Sequence, residues 1–280
     1  MYTPGGIERG TRGFVAGPIP KVTEALIQRW IQNGRGQGEG GLYFPWYTIF
    51  DVRGPSLRTR IWGTKVHRIH HLLSLLELIL FYHHEFRPSV LDIREQFPLF
   101  PREECFDIAD QLGIKHPTAP ITDCRTVVTT DQFVTIEKGM GRHWEAWSVK
   151  YVSDLQGRSL DKLEIERRYW RRRGIPWRLF TDKDLTPAML HNYRFLHPYR
   201  ERSALQHLPD DFIAYVSQQL RDEVAQHTIL SKLCTPCDHI GSQKPGSAMQ
   251  VARHLLANAT WPLDMHQPLG PRAPLAFRMA

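Results

Sequence analysis

Residues 126–181 constrain the fold more than any other part of the chain. Residues 126–136 are rich in Val and Thr, which suit a pleated, half-buried surface. Lys138-Gly139-Met140-Gly141 follows as a turn and residues 144–152 read as a second strand, so the two runs predict an antiparallel hairpin. Residues 160–173 form a strongly helical run that ends at Gly174, and residues 175–181 return to strand. Strand, helix, strand over this length is a βαβ unit, which requires at least two parallel strands. The fold class expected is therefore α/β.

The rest of the chain is read against that unit. Residues 23–32 predict a short amphipathic helix that stops at Asn33-Gly34. The Gly-rich stretch 34–41 lacks the Lys-Ser/Thr ending of a phosphate-binding loop and reads as a flexible connection. Residues 43–64 suggest short strands around a Gly54-Pro55-Ser56 turn, with Arg53, Arg58 and Arg60. Residues 66–83 read as one helix, apolar on nearly every side in its middle and hence buried. Residues 89–96 suit a strand or turn, and residues 103–112 a short helix. After Leu185 short helices are expected at 187–195, 210–225, 227–233 and 249–257, before a Pro-rich end at 261–280. The organisation expected is a mobile arm over 1–22, an α/β domain over 23–184 and a mostly helical domain over 185–280.

Composition narrows the partners. No apolar run approaches the roughly 20 residues of a bilayer span, and residues 1–13 hold no apolar signal core. No membrane partner is expected. A formal charge of +7 favours a polyanion, since Lys and Arg that neutralise phosphates release counterions. Four cysteines make no disulfide framework, so a reducing cytoplasm is the expected location. Cys234-Thr235-Pro236-Cys237 with His239 is half of a zinc pattern and lacks a second ligand pair.

Four residues stand out chemically. Glu77 lies inside the apolar run 72–80, where an ionised carboxylate is costly unless paired or bound to a metal. A buried Arg would satisfy it equally well. Asp131 sits mid-strand, where Asp is disfavoured, although a solvent-facing edge position would explain it too. Ser148 and Lys150 are two apart on the next strand and so share a face. Lys150 alone reads as an ordinary surface lysine with a buried stem. Taken in order, a helix carboxylate, a strand Asp and a polar-x-Lys strand form the layout of the restriction-endonuclease-like fold.

Longer strings carry a more specific resemblance. They are Gly34-Arg35-Gly36-Gln37-Gly38, His70-His71-Leu72-Leu73-Ser74 with Glu77-Leu78, and the run Ser89-Val90-Leu91-Asp92-Ile93-Arg94-Glu95-Gln96-Phe97-Pro98-Leu99. Gly113-Ile114-Lys115-His116-Pro117, Thr130-Asp131 and Val149-Lys150 continue them. Lys162-Leu163-Glu164-Ile165-Glu166-Arg167-Arg168-Tyr169-Trp170 and Ile175-Pro176-Trp177 with Phe180-Thr181-Asp182-Lys183 complete the set. Over about residues 25–190 the chain resembles the TnsA family, endonuclease subunits of Tn-seven-like heteromeric transposases.

The resemblance implies a restriction-endonuclease-like domain followed by a winged-helix-like C-terminal domain. It implies that Glu77, Asp131 and Lys150 are the catalytic carboxylates and lysine. Mg²⁺, with Mn²⁺ as a substitute, would be held by Glu77, Asp131 and the carbonyl of Val149. The family carries Gln where Ser148 stands, so the role of Ser148 stays open. Arg171-Arg172-Arg173 is the cluster favoured for phosphate contact, while Asp92 and Glu95 are expected to be structural, Glu95 pairing with Arg94 or another Arg. Residues 249–258 would be a recognition-type helix. The partners implied are transposon-end DNA, a DDE recombinase of the TnsB kind, and an ATPase regulator of the TnsC kind docking on the C-terminal domain. A catalytically inactive adaptor and a free-standing nuclease of the same fold are the competing readings.

Overall fold

The computed structural model describes residues 21–52, 57–240 and 243–278. All but the last two residues of the arm expected over 1–22 lie outside them, as does the expected Gly54-Pro55-Ser56 turn. Helix α1 (Glu24–Gln32) begins where the Thr23 side chain accepts the Leu26 N–H at 3.2 Å. Its buried Ile27 and Trp30 pack with Trp46 and Val127.

The Gly-rich stretch is not a loose connection. Gly36 N–H donates to Phe44 O at 2.6 Å, Gly40 N–H donates to Asp92 Oδ2 at 3.1 Å, and Arg35 pairs with Asp51 at 2.6 Å. Gly36 has φ +72°, and a Cβ there would fall 2.1 Å from Pro98 Cγ, so this position accepts only glycine. The sequence reading missed the tethers because their partners lie tens of residues away.

The single helix expected over 66–83 is two elements. Strands β1 (Thr59–Gly63) and β2 (Arg68–Leu72) form an antiparallel ribbon, and helix α2 (Leu75–Phe86) follows. Along β2 the side chains of Arg68, His70 and Leu72 are buried while Ile69 is exposed, a strand period. Ser74 caps α2 by accepting the Glu77 N–H at 3.1 Å. Glu77 returns the favour, accepting from Ser74 Oγ at 3.0 Å and from Leu73 N–H at 3.0 Å. Ser-x-x-Glu before an apolar run is a capping-box signature, and it sets the helix start nine residues later than expected.

Strand β3 (Val90–Pro98), helix α3 (Arg102–Leu112), strands β4 (Thr129–Lys138) and β5 (Gly141–Lys150), helix α4 (Arg158–Arg172) and strand β6 (Trp177–Thr181) complete the α/β unit. The sheet order is β3-β4-β5-β6, with β5 and β6 parallel and the other pairs antiparallel, as the hairpin and βαβ unit required. Helix α2 covers one face with Val134, Ile136 and Val149 beneath it. Helices α3 and α4 cover the other face through Ile108, Ile165 and Trp170 against Phe133 and Ala146.

Glu95 on β3 is the structural hub between ribbon and sheet. Arg68 reaches both its oxygens, at 2.5 and 2.8 Å, and His70 Nδ1 lies 2.8 Å from Oε2. Its cation is therefore Arg68, not Arg94. Arg94 instead lies 3.3 Å from Asp92, beside the Gly40 tether.

Helices α5 (Pro187–Leu196), α6 (Asp210–Glu223), α7 (Leu230–Ile240) and α8 (Ser247–Ala257) share one apolar core with α2. Tyr82 of α2 stacks on Tyr193 of α5 with centroids 5.6 Å apart, and Glu85 lies 3.9 Å from Arg200. The Pro-rich end is tied to α5 by buried Asn192, which donates to Met265 O and Gln267 O and accepts from Leu269 N–H. Among the described residues this half has single β-bridges, such as Leu263 with Phe277, and no strand pair that would make a wing. Helix α8 is its central helix: Ala248, Val251, Ala252, Leu255 and Leu256 are buried, and Arg253 and His254 are bonded to Phe195 O and Tyr199 O. Only Met249, Gln250, Arg253 and His254 keep partial exposure on this helix, and Arg253 and His254 are already bonded within the domain.

Candidate functional site

The site forms where the two middle strands part. Strands β4 and β5 stay in register from Lys138–Gly141 to Gln132–Trp147. Beyond that, β5 continues beside β6 as far as Lys150–Thr181. At the opening, the Asp131 side chain replaces the ladder, its Oδ2 accepting the Val149 N–H at 2.7 Å. Glu77 reaches the same place from the first turn of α2. Gln132, the next residue along β4, holds that turn by donating to Glu77 O at 2.8 Å.

Gln96 links the two carboxylates. Its Nε2 donates to Asp131 Oδ1 at 3.2 Å and to Glu77 Oε2 at 3.4 Å. Its Oε1 accepts from Thr129 Oγ1 at 3.0 Å. Gln96 is only 4% exposed and has φ +47°, a left-handed conformation uncommon for a non-glycine residue. Sequence reading missed it. The register that places residue 96 opposite residue 131 exists only once β3 and β4 pair.

Neither carboxylate meets a formal ion-pair partner among the described residues. Glu77 is 4% exposed, and burial, followed by the charge of Asp131, pushes its carboxyl well above the usual range. Burial raises Asp131 too, against the opposing pull of the Val149 N–H and the Lys150 charge. The buried arginine that would have made Glu77 an ordinary salt bridge is absent from its contacts. Two hard oxygen donors facing one another without a cation suit a hard divalent ion such as Mg²⁺. Among the described residues no third His, Cys, Asp or Glu joins them at metal-binding distance.

Ser148 faces away from this pair. It is 1% exposed, donates to Glu166 Oε1 at 2.5 Å and accepts from Trp177 Nε1 at 3.0 Å. Thr130 Oγ1 donates to the same Glu166 oxygen at 2.7 Å. Glu166 thus ties together the two parting strands from the α4 side. Burial first, then the Asp131 charge, raises its carboxyl to about 7. Its neighbour Glu164 differs, pairing at the helix surface with Arg167 and Arg168.

The amine of Lys150 has no hydrogen-bond or ion-pair partner among the described residues, and its charge is felt at Asp131. Desolvation, then the charges of Lys150 and Arg158, lower the amine of Lys162 on α4. The Arg171-Arg172-Arg173 cluster lies at the other end of α4. Arg173 pairs with Glu104 at 2.7 Å and Arg172 donates to Gln111, so these two brace α4 against α3 rather than standing free for phosphate. Cys234 and Cys237 are buried on α7, and burial raises both thiols, Cys234 to about 12. Among the described residues no group of three or more His, Cys, Asp or Glu side chains gathers to hold a metal, so the second ligand pair that the zinc pattern needs is not supplied.

A mixed sheet whose middle strands part around an aspartate and a lysine, with a helix carboxylate beside them, defines an α/β protein with the layout of a nuclease fold. Comparison with known proteins narrows this class. The TnsA-like endonuclease N-terminal family matches residues 87–182, and the TnsA endonuclease C-terminal family matches residues 184–265. The chain is 38% identical over 239 residues to the transposon Tn7 transposition protein TnsA of Escherichia coli, covering 84% of each chain. The chain belongs to the TnsA family. Among the described residues no helix is long and apolar enough to cross a membrane.

Proposed function

We propose that this chain is the endonuclease subunit of a transposase, hydrolysing the 5′ strands at the ends of a mobile element during cut-and-paste DNA transposition. The observation that carries this is the meeting of Glu77 and Asp131 at Gln96, without a formal ion-pair partner, beside Lys150. Mg²⁺, with Mn²⁺ as substitute, would be held by Glu77, Asp131 and the carbonyl of Val149. Bound there, it would polarise the phosphate and lower the pKa of a bound water. Asp131 is fixed for this role by the Val149 N–H, and Glu77 by Ser74 and Leu73. The unpartnered Lys150 amine orients the attacking water or neutralises charge developing on the phosphate. Lys162 and Arg158 extend the positive field along the path of a DNA backbone.

A TnsB-like recombinase would cut and join the 3′ ends, and a TnsC-like ATPase would dock on residues 185–280. Whether that half is a winged-helix variant or a plain helical bundle, its buried α8 favours a protein partner over a DNA groove. The chain is a subunit, so no cleavage is expected from it alone; free nicking of plasmid by the purified chain in Mg²⁺ would contradict that. In a reconstituted transposition reaction Asp131→Ala should reduce 5′-strand cuts by about 10³-fold while leaving 3′ cuts. Unchanged 5′ cuts would favour the inactive adaptor, the reading that Ser148's turn toward Glu166 keeps open.

A further inference from the structure

We propose that Gln96 is a third side-chain ligand of the divalent cation. The inference rests on the reading of Glu77 and Asp131 as the cation's carboxylates. The Gln96 amide nitrogen stands 3.2 Å from Asp131 Oδ1 and 3.4 Å from Glu77 Oε2, at the mouth between them. No other side chain touches both carboxylates among the described residues.

An amide is two-sided. Turning the terminal amide of Gln96 by half a turn exchanges Oε1 and Nε2 and leaves every heavy-atom position as it is. In the orientation described, Nε2 faces the carboxylates and Oε1 takes the Thr129 hydroxyl. That arrangement suits the metal-free protein, because an N–H offsets the repulsion between two buried carboxylates. In the reversed orientation Nε2 donates to Thr129 Oγ1, which accepts as readily as it donates. The carbonyl oxygen then faces the two carboxylates, and amide carbonyls are ordinary ligands of hard divalent cations. The Thr129 hydroxyl permits both states without leaving a buried polar atom unpaired.

The backbone supports the assignment. Gln96 adopts φ +47° within a strand, and Trp46 N–H bonds its carbonyl at 3.2 Å. A non-glycine residue held in this region stores strain, which is a feature of sites where one side chain must be aimed. Ser148, the other polar side chain near the opening, is committed to Glu166 and Trp177.

The test is Mn²⁺ binding to the full chain, read by electron paramagnetic resonance titration beside thermal unfolding of the metal-free protein. Gln96→Leu removes both amide atoms, and Gln96→Gly removes them while relieving the positive φ. Both should weaken Mn²⁺ binding about 10-fold or more, with Gln96→Gly keeping a cooperative unfolding transition. Gln96→Glu, which offers oxygen only, should bind Mn²⁺ at least as tightly as the parent. Unchanged or tighter binding in Gln96→Leu and Gln96→Gly would overturn the proposal and leave Gln96 as a spacer. A Gln96→Glu loss as large as that of Gln96→Leu would overturn it too. Asp131→Asn and Glu77→Gln are the controls. If they also leave Mn²⁺ affinity unchanged, the cation-site reading itself fails; if they abolish binding and Gln96→Leu does not, only this inference fails.

Discussion

Two buried carboxylate centres meet at consecutive residues of β3, one on Glu95 itself and one gathered around the Gln96 amide, and they are built on opposite principles. Around Glu95 every demand of the charge is met from within: Arg68 binds both oxygens, His70 adds a third contact and His71 N–H a fourth. Its carboxyl is held far below the usual range, with desolvation outweighed by His70 and Arg68. Around Gln96 the carboxylates of Glu77 and Asp131, with Glu166 behind, are met mostly by neutral donors, and burial drives all three upward. A buried charge closed by a protein cation is architecture. A set of buried carboxylates left with amides and hydroxyls takes up a proton or, under the proposed function, would take a cation from outside, and that contrast separates fold from proposed site where sequence position does not.

The contrast can be broken experimentally. Glu95→Gln leaves Arg68 buried without its partner and should cost about 3–5 kcal/mol of stability in denaturant titration at neutral pH. Because the folded Glu95 is depressed, its contribution is present above the unfolded carboxylate range and is lost as pH falls, so the penalty should shrink below about pH 4. Glu166→Gln should do the reverse. The folded Glu166 is raised to about 7, so stability from this group is full below the unfolded range and is lost as pH rises through about 7. The variant should therefore stabilise the metal-free protein by about 3 kcal/mol at pH 8 and by about 1 kcal/mol or less at pH 5. If both variants moved stability in the same direction at pH 8, the two centres would not differ in kind.

How much of this could be read from the residues alone varied with how local the signal was. The hairpin and the βαβ unit were legible because their periods and turns are contiguous. Glu77 was legible because an ionisable group in an apolar helix is conspicuous. The start of α2 was misplaced because apolar richness has no direction, although Ser74-x-x-Glu77 marks it. Glu166 was also within reach: it lies three residues after Leu163 and three before Tyr169, both buried, so helical spacing puts it on the inner face. Gln96 was out of reach, since only strand pairing brings it to Asp131. Arg172 and Arg173 misled because a run of arginines looks free until the acidic partner on α3, Glu104, is placed beside it.

Helix α2 has two ends with two loyalties. Its first turn holds Glu77, and its later turns carry Tyr82 and Glu85 into the C-terminal helices. One helix thus touches both the Glu77 carboxylate and the C-terminal helices, and a rocking of that helix would be felt at both ends. Tyr193→Ala should loosen that helix, giving about 10-fold faster hydrogen exchange at the Leu73 and Glu77 amides with little loss of global stability. Unchanged exchange there would mean the helix is pinned by the sheet alone. If the helix is stiff, a cut in DNA can be licensed from the far side of the molecule by a partner that never approaches the phosphate.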